Sequence, residues 1–126
     1  MIDHITLKIS NYERSKEFYS KILAPLGYVL SEDNPNYKTA GFCRGNKRDV
    51  WISEGLKQTE SHSFSCLAFG ASNQAMVDAF YKAGVEAGGK DNGAPGYRPE
   101  YHPGYYATFV LDPDGHNLEA IFDDRK

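Results

Sequence analysis

Shifting the chain against itself by 62 residues lays Leu67, Phe69 and Ala71 over Ile5, Leu7 and Ile9, and Ser72-Asn73 over Ser10-Asn11. The same shift lays Phe80-Tyr81 over Phe18-Tyr19 and Gly89 over Gly27. An internal repeat close to half the 126 residues constrains the fold more than any local signal. One unit of about 60 residues must serve twice, and each copy must help bury the face that the other leaves bare.

Within each copy the apolar period changes once. Ile5, Leu7 and Ile9 alternate with Thr6, Lys8 and Ser10, the period of a half-buried strand. Ser10-Asn11-Tyr12-Glu13 then has the spacing of a capping box, and Phe18, Tyr19, Ile22 and Leu23 share a helical face that Pro25 and Gly27 end. Strands are expected at Gly27–Leu30, Tyr37–Arg44 and Asp49–Ser53, with Gly45-Asn46 turning the last two into a hairpin. The second copy is expected to have a long loop over Asp91–Gly104, a strand over Tyr105–Leu111, a turn at Asp112-Pro113-Asp114-Gly115 and a strand over His116–Phe122. The chain therefore reads as α+β, one domain over 1–126 made of βαβββ modules 1–55 and 62–124. Their cupped mixed sheets enclose a cleft, the natural place for a small-molecule ligand.

Alternation along the last strand sends Glu119 and Asn117 to one face and Leu118 and Ala120 to the other, so a carboxylate faces the cleft if Leu118 faces the helix. Such a carboxylate needs a donor, a cation or open water. His4 stands at the mouth of the first strand, and its repeat counterpart is Cys66. His4, Cys66 and Glu119 together would suit a divalent metal such as zinc, nickel or iron. The structural alternatives are a satisfied strand histidine, a small core cysteine and a partly solvated glutamate. The loop before Tyr105 and Tyr106 also carries Tyr97, Arg98, Tyr101 and His102, so it is either a lid that binds a guest or a surface loop pinned by its rings. Arg98 could clamp an anionic group there and His102 could exchange protons near neutral pH.

Charge and composition exclude other classes. Lys and Arg total 14 against 17 Asp and Glu, a net charge of −3 that attracts neither a nucleic acid backbone nor an anionic membrane. No apolar run approaches the roughly 18 residues of a membrane span, and Met1-Ile2-Asp3-His4 starts no signal peptide, so a cytoplasmic protein is expected. Cys43 and Cys66 form no CxxC pair and suit reduced thiols. Phosphate loops, serine-hydrolase elbows and H-E-x-x-H helices are missing from the sequence.

Three stretches resemble the vicinal-oxygen-chelate superfamily, which includes glyoxalase I, bleomycin-resistance proteins and extradiol dioxygenases. They are Ile2 to Ser10, Cys66-Leu67-Ala68-Phe69, and Asp112-Pro113-Asp114-Gly115-His116-Asn117-Leu118-Glu119. The resemblance implies paired βαβββ modules and, in many members, a divalent metal held at four equivalent positions. His4 and Glu119 match two of them. Cys66 stands where many relatives have histidine, and Trp51 is the nearest repeat counterpart of Glu119 where a carboxylate is common. Glyoxalase chemistry needs a metal and a carboxylate base, and an extradiol dioxygenase needs two histidines and a glutamate. Two functional readings follow. One is a metal-dependent lyase or isomerase of the lactoylglutathione-lyase type, acting on a small α-oxo or vicinal-dioxygen compound, with Glu119 as ligand and base. The other is a metal-free sequestering protein of the bleomycin-resistance type, with Trp51, Arg98, Tyr101, His102, Tyr105 and Tyr106 holding the guest. The resemblance and the edge strands both favour a homodimer.

Overall fold

The computed structural model of the chain describes residues 1–55 and 66–125. Residues 62–65 of the second expected module lie outside the described residues. The first unit runs β1 (Ile5–Ile9), α1 (Tyr12–Ile22), a 3-10 turn (Ala24–Leu26), β2 (Val29–Asn34), β3 (Thr39–Arg44) and β4 (Lys47–Glu54). The second runs β5 (Cys66–Gly70), α2 (Gln74–Glu86), β6 (Lys90–Asp91), β7 (Gly96–Tyr97), β8 (Tyr105–Leu111) and β9 (Asn117–Asp123). The strand orders are β1-β4-β3-β2 in one sheet and β5-β9-β8-β6 in the other, with β7 also on β8. In both, the first strand pairs parallel with the last, and the last antiparallel with the one before it. The fold is thus α+β with two open sheets, as expected.

Several boundaries differ from the sequence reading for physical reasons. The expected strand Gly27–Leu30 begins instead at Val29, because Gly27 takes φ 91° to end the 3-10 turn, and it continues to Asn34 through polar residues that an edge strand tolerates. Asn11, not Ser10, caps α1 by accepting from the Arg14 N–H. Ser10 is drawn away by Asp114, which accepts from both its backbone N–H and its hydroxyl. The loop expected over Asp91–Gly104 contributes two-residue strands to the second sheet.

Both helices cover one face of their sheets and meet each other. Phe18, Tyr19, Ile22, Phe42 and Ile52 of the first unit join Phe69, Phe80, Val110 and Leu118 of the second in one buried cluster. Each large side chain there contributes about 1.5–3 kcal/mol. The helices approach so closely that a Cβ at Gly84 would stand 2.6 Å from Ile22 Cδ1. Polar contacts fix how the units run past each other. His116 Nε2 lies 2.7 Å from the Lys8 carbonyl oxygen, and Ser10 bonds Asp114, so the end of β1 meets the turn that leads into β9. At the other end Arg44 Nη1 donates to the Gly70 carbonyl at 3.1 Å, and the Tyr28 ring meets Phe69. Because Cys66 pairs with Asn117, β1 and β5 run in opposite directions along this seam.

Candidate functional site

The site is built on the face of the second sheet turned away from the helices. Leu118 and Ala120 are buried in the core, so alternation sends Glu119, Ile121 and Asp123 outward, and the pairing of β8 with β9 puts Phe109 beside Glu119 and Tyr105 beside Asp123. Cys66, at the start of β5, adds its thiol to that face.

Glu119 is only 6% exposed, yet its charge is met by two neutral donors. Tyr105 Oη donates to Oε2 at 2.6 Å, and Cys66 Sγ donates to Oε1 at 3.5 Å. Burial, then the Glu119 charge and the bond to it, push the Cys66 thiol up to about 11. Burial and the same carboxylate push the Tyr105 hydroxyl well above its ordinary value. At neutral pH both are protonated donors, and Cys66 is a thiol rather than a nucleophilic thiolate. The remaining lone pairs of Glu119 are left to accept from a guest.

Aromatic groups border this carboxylate. The Tyr101 and His102 rings stand edge-on to Tyr105, with centroids 4.9 Å and 5.0 Å away. His102 Nε2 lies 3.2 Å from Asp123 Oδ2. Burial acts to raise Asp123, but the Arg125 backbone N–H, His102 and the Arg125 side chain outweigh it and hold the carboxyl below its usual value. Arg98 lies over the Phe109 ring at 5.6 Å and donates to the Ala94 carbonyl at 2.8 Å. Five of the singled-out residues therefore share one region: Cys66, Glu119, Tyr105, Tyr101 and His102. Arg98 reaches the same face through Phe109.

Three others lie elsewhere. Tyr106 alternates to the helix side, where its hydroxyl donates to Asp78 at 2.6 Å, and that bond with burial pushes it up to about 12. Trp51 is on the first sheet, its indole laid across Gly41 so closely that a Cβ there would stand 2.9 Å from Cη2. His4 is exposed, with Nδ1 2.7 Å from Asp3 Oδ1. The opposite running of β1 and β5 puts His4 toward the Gly70 end of the seam and Cys66 toward the other. Among the described residues no three His, Cys, Asp or Glu side chains are grouped to hold a metal ion. Among the described residues Cys66 and Glu119 are two adjacent donors, and a metal would have to displace the proton of a thiol raised to about 11. The described residues of one chain thus do not by themselves complete a metal site. Phe109 and Asp123 were not singled out in the sequence, although the alternation that selected Glu119 on β9 also selects Asp123, and the same alternation from Tyr105 along β8 selects Phe109.

The sequence profile of the Glyoxalase/Bleomycin resistance protein/Dioxygenase superfamily matches residues 1–120. The metallothiol transferase FosB of Shouchella clausii is 29% identical over 124 residues, covering 94% of this chain and 77% of that protein. A glyoxalase/bleomycin resistance protein from Albidiferax ferrireducens superposes with a TM-score of 0.81 at 26% identity, covering 97% of this chain and 98% of that one. The fosfomycin resistance protein FosX from Mesorhizobium loti shares the fold, with a TM-score of 0.70 at 19% identity over 97% of this chain and 91% of that one.

Proposed function

The chain belongs to the glyoxalase/bleomycin resistance protein/dioxygenase superfamily, and from that premise we propose that the sheet face around Glu119 binds a small molecule. The observation that carries this reading is a carboxylate 6% exposed whose side-chain partners among the described residues are the neutral Tyr105 hydroxyl and Cys66 thiol. A buried anion without a cation is costly, and a guest offering a hydrogen-bond donor or positive charge there recovers part of that cost. Tyr101, Tyr105 and Phe109 supply ring surface with few rotatable bonds, as a binding face requires. Cys43 and Cys66 as free thiols suit a cytoplasmic setting. The test is a thermal-shift screen of small hydroxylated and amino compounds against wild type and Glu119→Gln. Compounds that raise the wild-type Tm and lose the effect in the variant support the reading, and hits indifferent to the variant overturn it.

A second reading, a metal-dependent lyase or isomerase, is favoured by the 3.5 Å between Cys66 Sγ and Glu119 Oε1, which puts two metal-capable groups side by side. The FosB relative is named a metallothiol transferase, which supports the metal-dependent part of this reading and not the lyase or isomerase part. This reading needs His4 of a second copy as the third donor, and so a homodimer. Elemental analysis after loading with zinc, nickel or ferrous ion decides it. About one ion per chain, lost in His4→Ala and Glu119→Gln, supports the lyase reading, and a metal content near zero removes it.

A further inference from the structure

Away from Glu119, a crevice of about 290 Å³ opens at the Gly70 end of the seam, between β1 and the β3–β4 hairpin on one side and β5 on the other. Its apolar lining comes from Ile5, Val50, Leu67 and Phe69, and its rim carries Arg44 and Lys47. Those two residues are direct cross-strand partners flanking the Gly45-Asn46 turn. Like charges directly opposite each other on a hairpin repel, and an anion between them reverses the sign of that interaction.

Arg44 is held ready for such a ligand. Its guanidinium lies 5.0 Å from the Tyr28 ring centroid, and Nη1 donates to the Gly70 carbonyl at 3.1 Å and reaches the Leu26 carbonyl at 3.5 Å. Nε and Nη2 have no hydrogen-bond partner among the described residues, and neither does Lys47 Nζ. The one carboxylate on the rim, Asp49, is engaged, accepting from Tyr28 Oη at 3.0 Å. The charges lining the crevice are therefore two cations against one carboxylate, which keeps its charge while accepting from Tyr28, and the balance is positive. The size is at the lower end for small-molecule pockets, roughly 300–1,000 Å³, and the combination of apolar floor and few polar groups is what such pockets share.

We propose that this crevice is a second binding site, taking a small monocarboxylate with a short apolar chain or ring. The carboxylate sits between Arg44 and Lys47, and the apolar part lies on Val50, Leu67 and Phe69. The site does not depend on the reading given to Glu119.

Calorimetric titration with hexanoate tests it, with hexylamine and hexanol as controls. Hexanoate is expected to bind one per chain, at least tenfold tighter than either control, and more weakly as salt is raised. Lys47→Ala is expected to weaken binding about tenfold, as loss of one charge-assisted contact implies, while Glu119→Gln leaves it unchanged. Arg44→Ala also removes a brace between the units, so its Tm is measured alongside, and Lys47→Glu, at the exposed start of β4, provides the variant that keeps the fold. Failure of hexanoate to bind, equal binding by Lys47→Glu and wild type, or loss of binding in Glu119→Gln overturns the proposal.

Discussion

Cys66 and Glu119 define the chemistry available at single residues. The thiol stands at about 11 because burial, the neighbouring carboxylate charge and the bond to it all disfavour the thiolate. An ordinary thiol, near pH 8.5, stops gaining alkylation rate once the pH passes that value. Cys66 is therefore expected to gain about tenfold per pH unit in iodoacetamide labelling up to at least pH 10, without a plateau. Glu119→Gln removes the charge and leaves only a weaker, neutral acceptor for the thiol, so the rate at a given pH should rise. Mass spectrometry of the labelled Cys66 peptide reads both, and a plateau near pH 8.5 in wild type would refute the coupling. The two residues were legible in the sequence separately, Glu119 by alternation and Cys66 by the repeat. Their contact was not, because it depends on Cys66 and Asn117 standing side by side in a parallel pair whose register only the folded sheet sets.

At the scale of elements, the segment before β8 and the turn before β9 do different work. The first was expected to be a lid or a pinned loop. Tyr101 is 56% exposed and touches Tyr105 edge-on, whereas Arg98 is braced by the Ala94 carbonyl and the Phe109 ring. Tyr101→Ala should therefore shift stability by less than about 0.5 kcal/mol and Arg98→Ala lower it by about 1 kcal/mol. Any ligand found on the Glu119 face should be weakened by both. Urea midpoints beside ligand titrations separate the two effects, and a Tyr101→Ala variant that melts early but binds normally would mark the segment as structural. The Asp112–Gly115 turn instead ties the units together: Tyr19 Oη donates to Asp112 at 2.5 Å, and Arg14 approaches Asp114 at 3.3 Å. Asp112 is 3% exposed. Burial raises its carboxyl above the usual 3.8, against lowering by Tyr19, His116 and the backbone N–H groups of His116 and Asp114. A carboxyl raised in the fold favours the folded state below its unfolded value, and that contribution is lost as the pH rises through the folded value. Asp112→Asn, which keeps an acceptor for the turn, should flatten the stability loss that wild type shows as the pH rises from the ordinary carboxyl value of 3.8 through the raised folded one. An unchanged pH profile from urea unfolding would show that Asp112 does not titrate in that range. The sequence marked this turn by its Asp-Pro-Asp-Gly chemistry, while its hold on Ser10 crosses 104 positions and left no local trace.

For the whole molecule, the repeat predicted two sheets of matching order, and it also explains why one chain does not gather its own candidate residues. Equivalent positions in two like units converge only where the units' strands meet at the same height, and here β1 and β5 run in opposite directions along the seam. His4 and Trp51 belong to the first sheet, while Cys66, Glu119 and Tyr105 stand on the second. An isologous pair of chains can bring the first sheet of one copy against the second sheet of the other, twice over by symmetry. Such a pairing would also cover apolar edge surface, since β2 ends its sheet with Val29 and Leu30 exposed. A dimer is therefore expected at micromolar concentration, sedimenting at twice the mass of one chain. His4→Ala should leave that dimer intact, because trimming one side chain removes little of an interface, whereas Glu119→Arg should dissociate it by replacing a carboxylate that Tyr105 and Cys66 satisfy with a larger, uncompensated cation in the covered face. Sedimentation velocity over a hundredfold range of concentration reads the result. A single species of one chain's mass throughout would rule out the pairing, and with it the metal-dependent reading that requires His4 from a second copy.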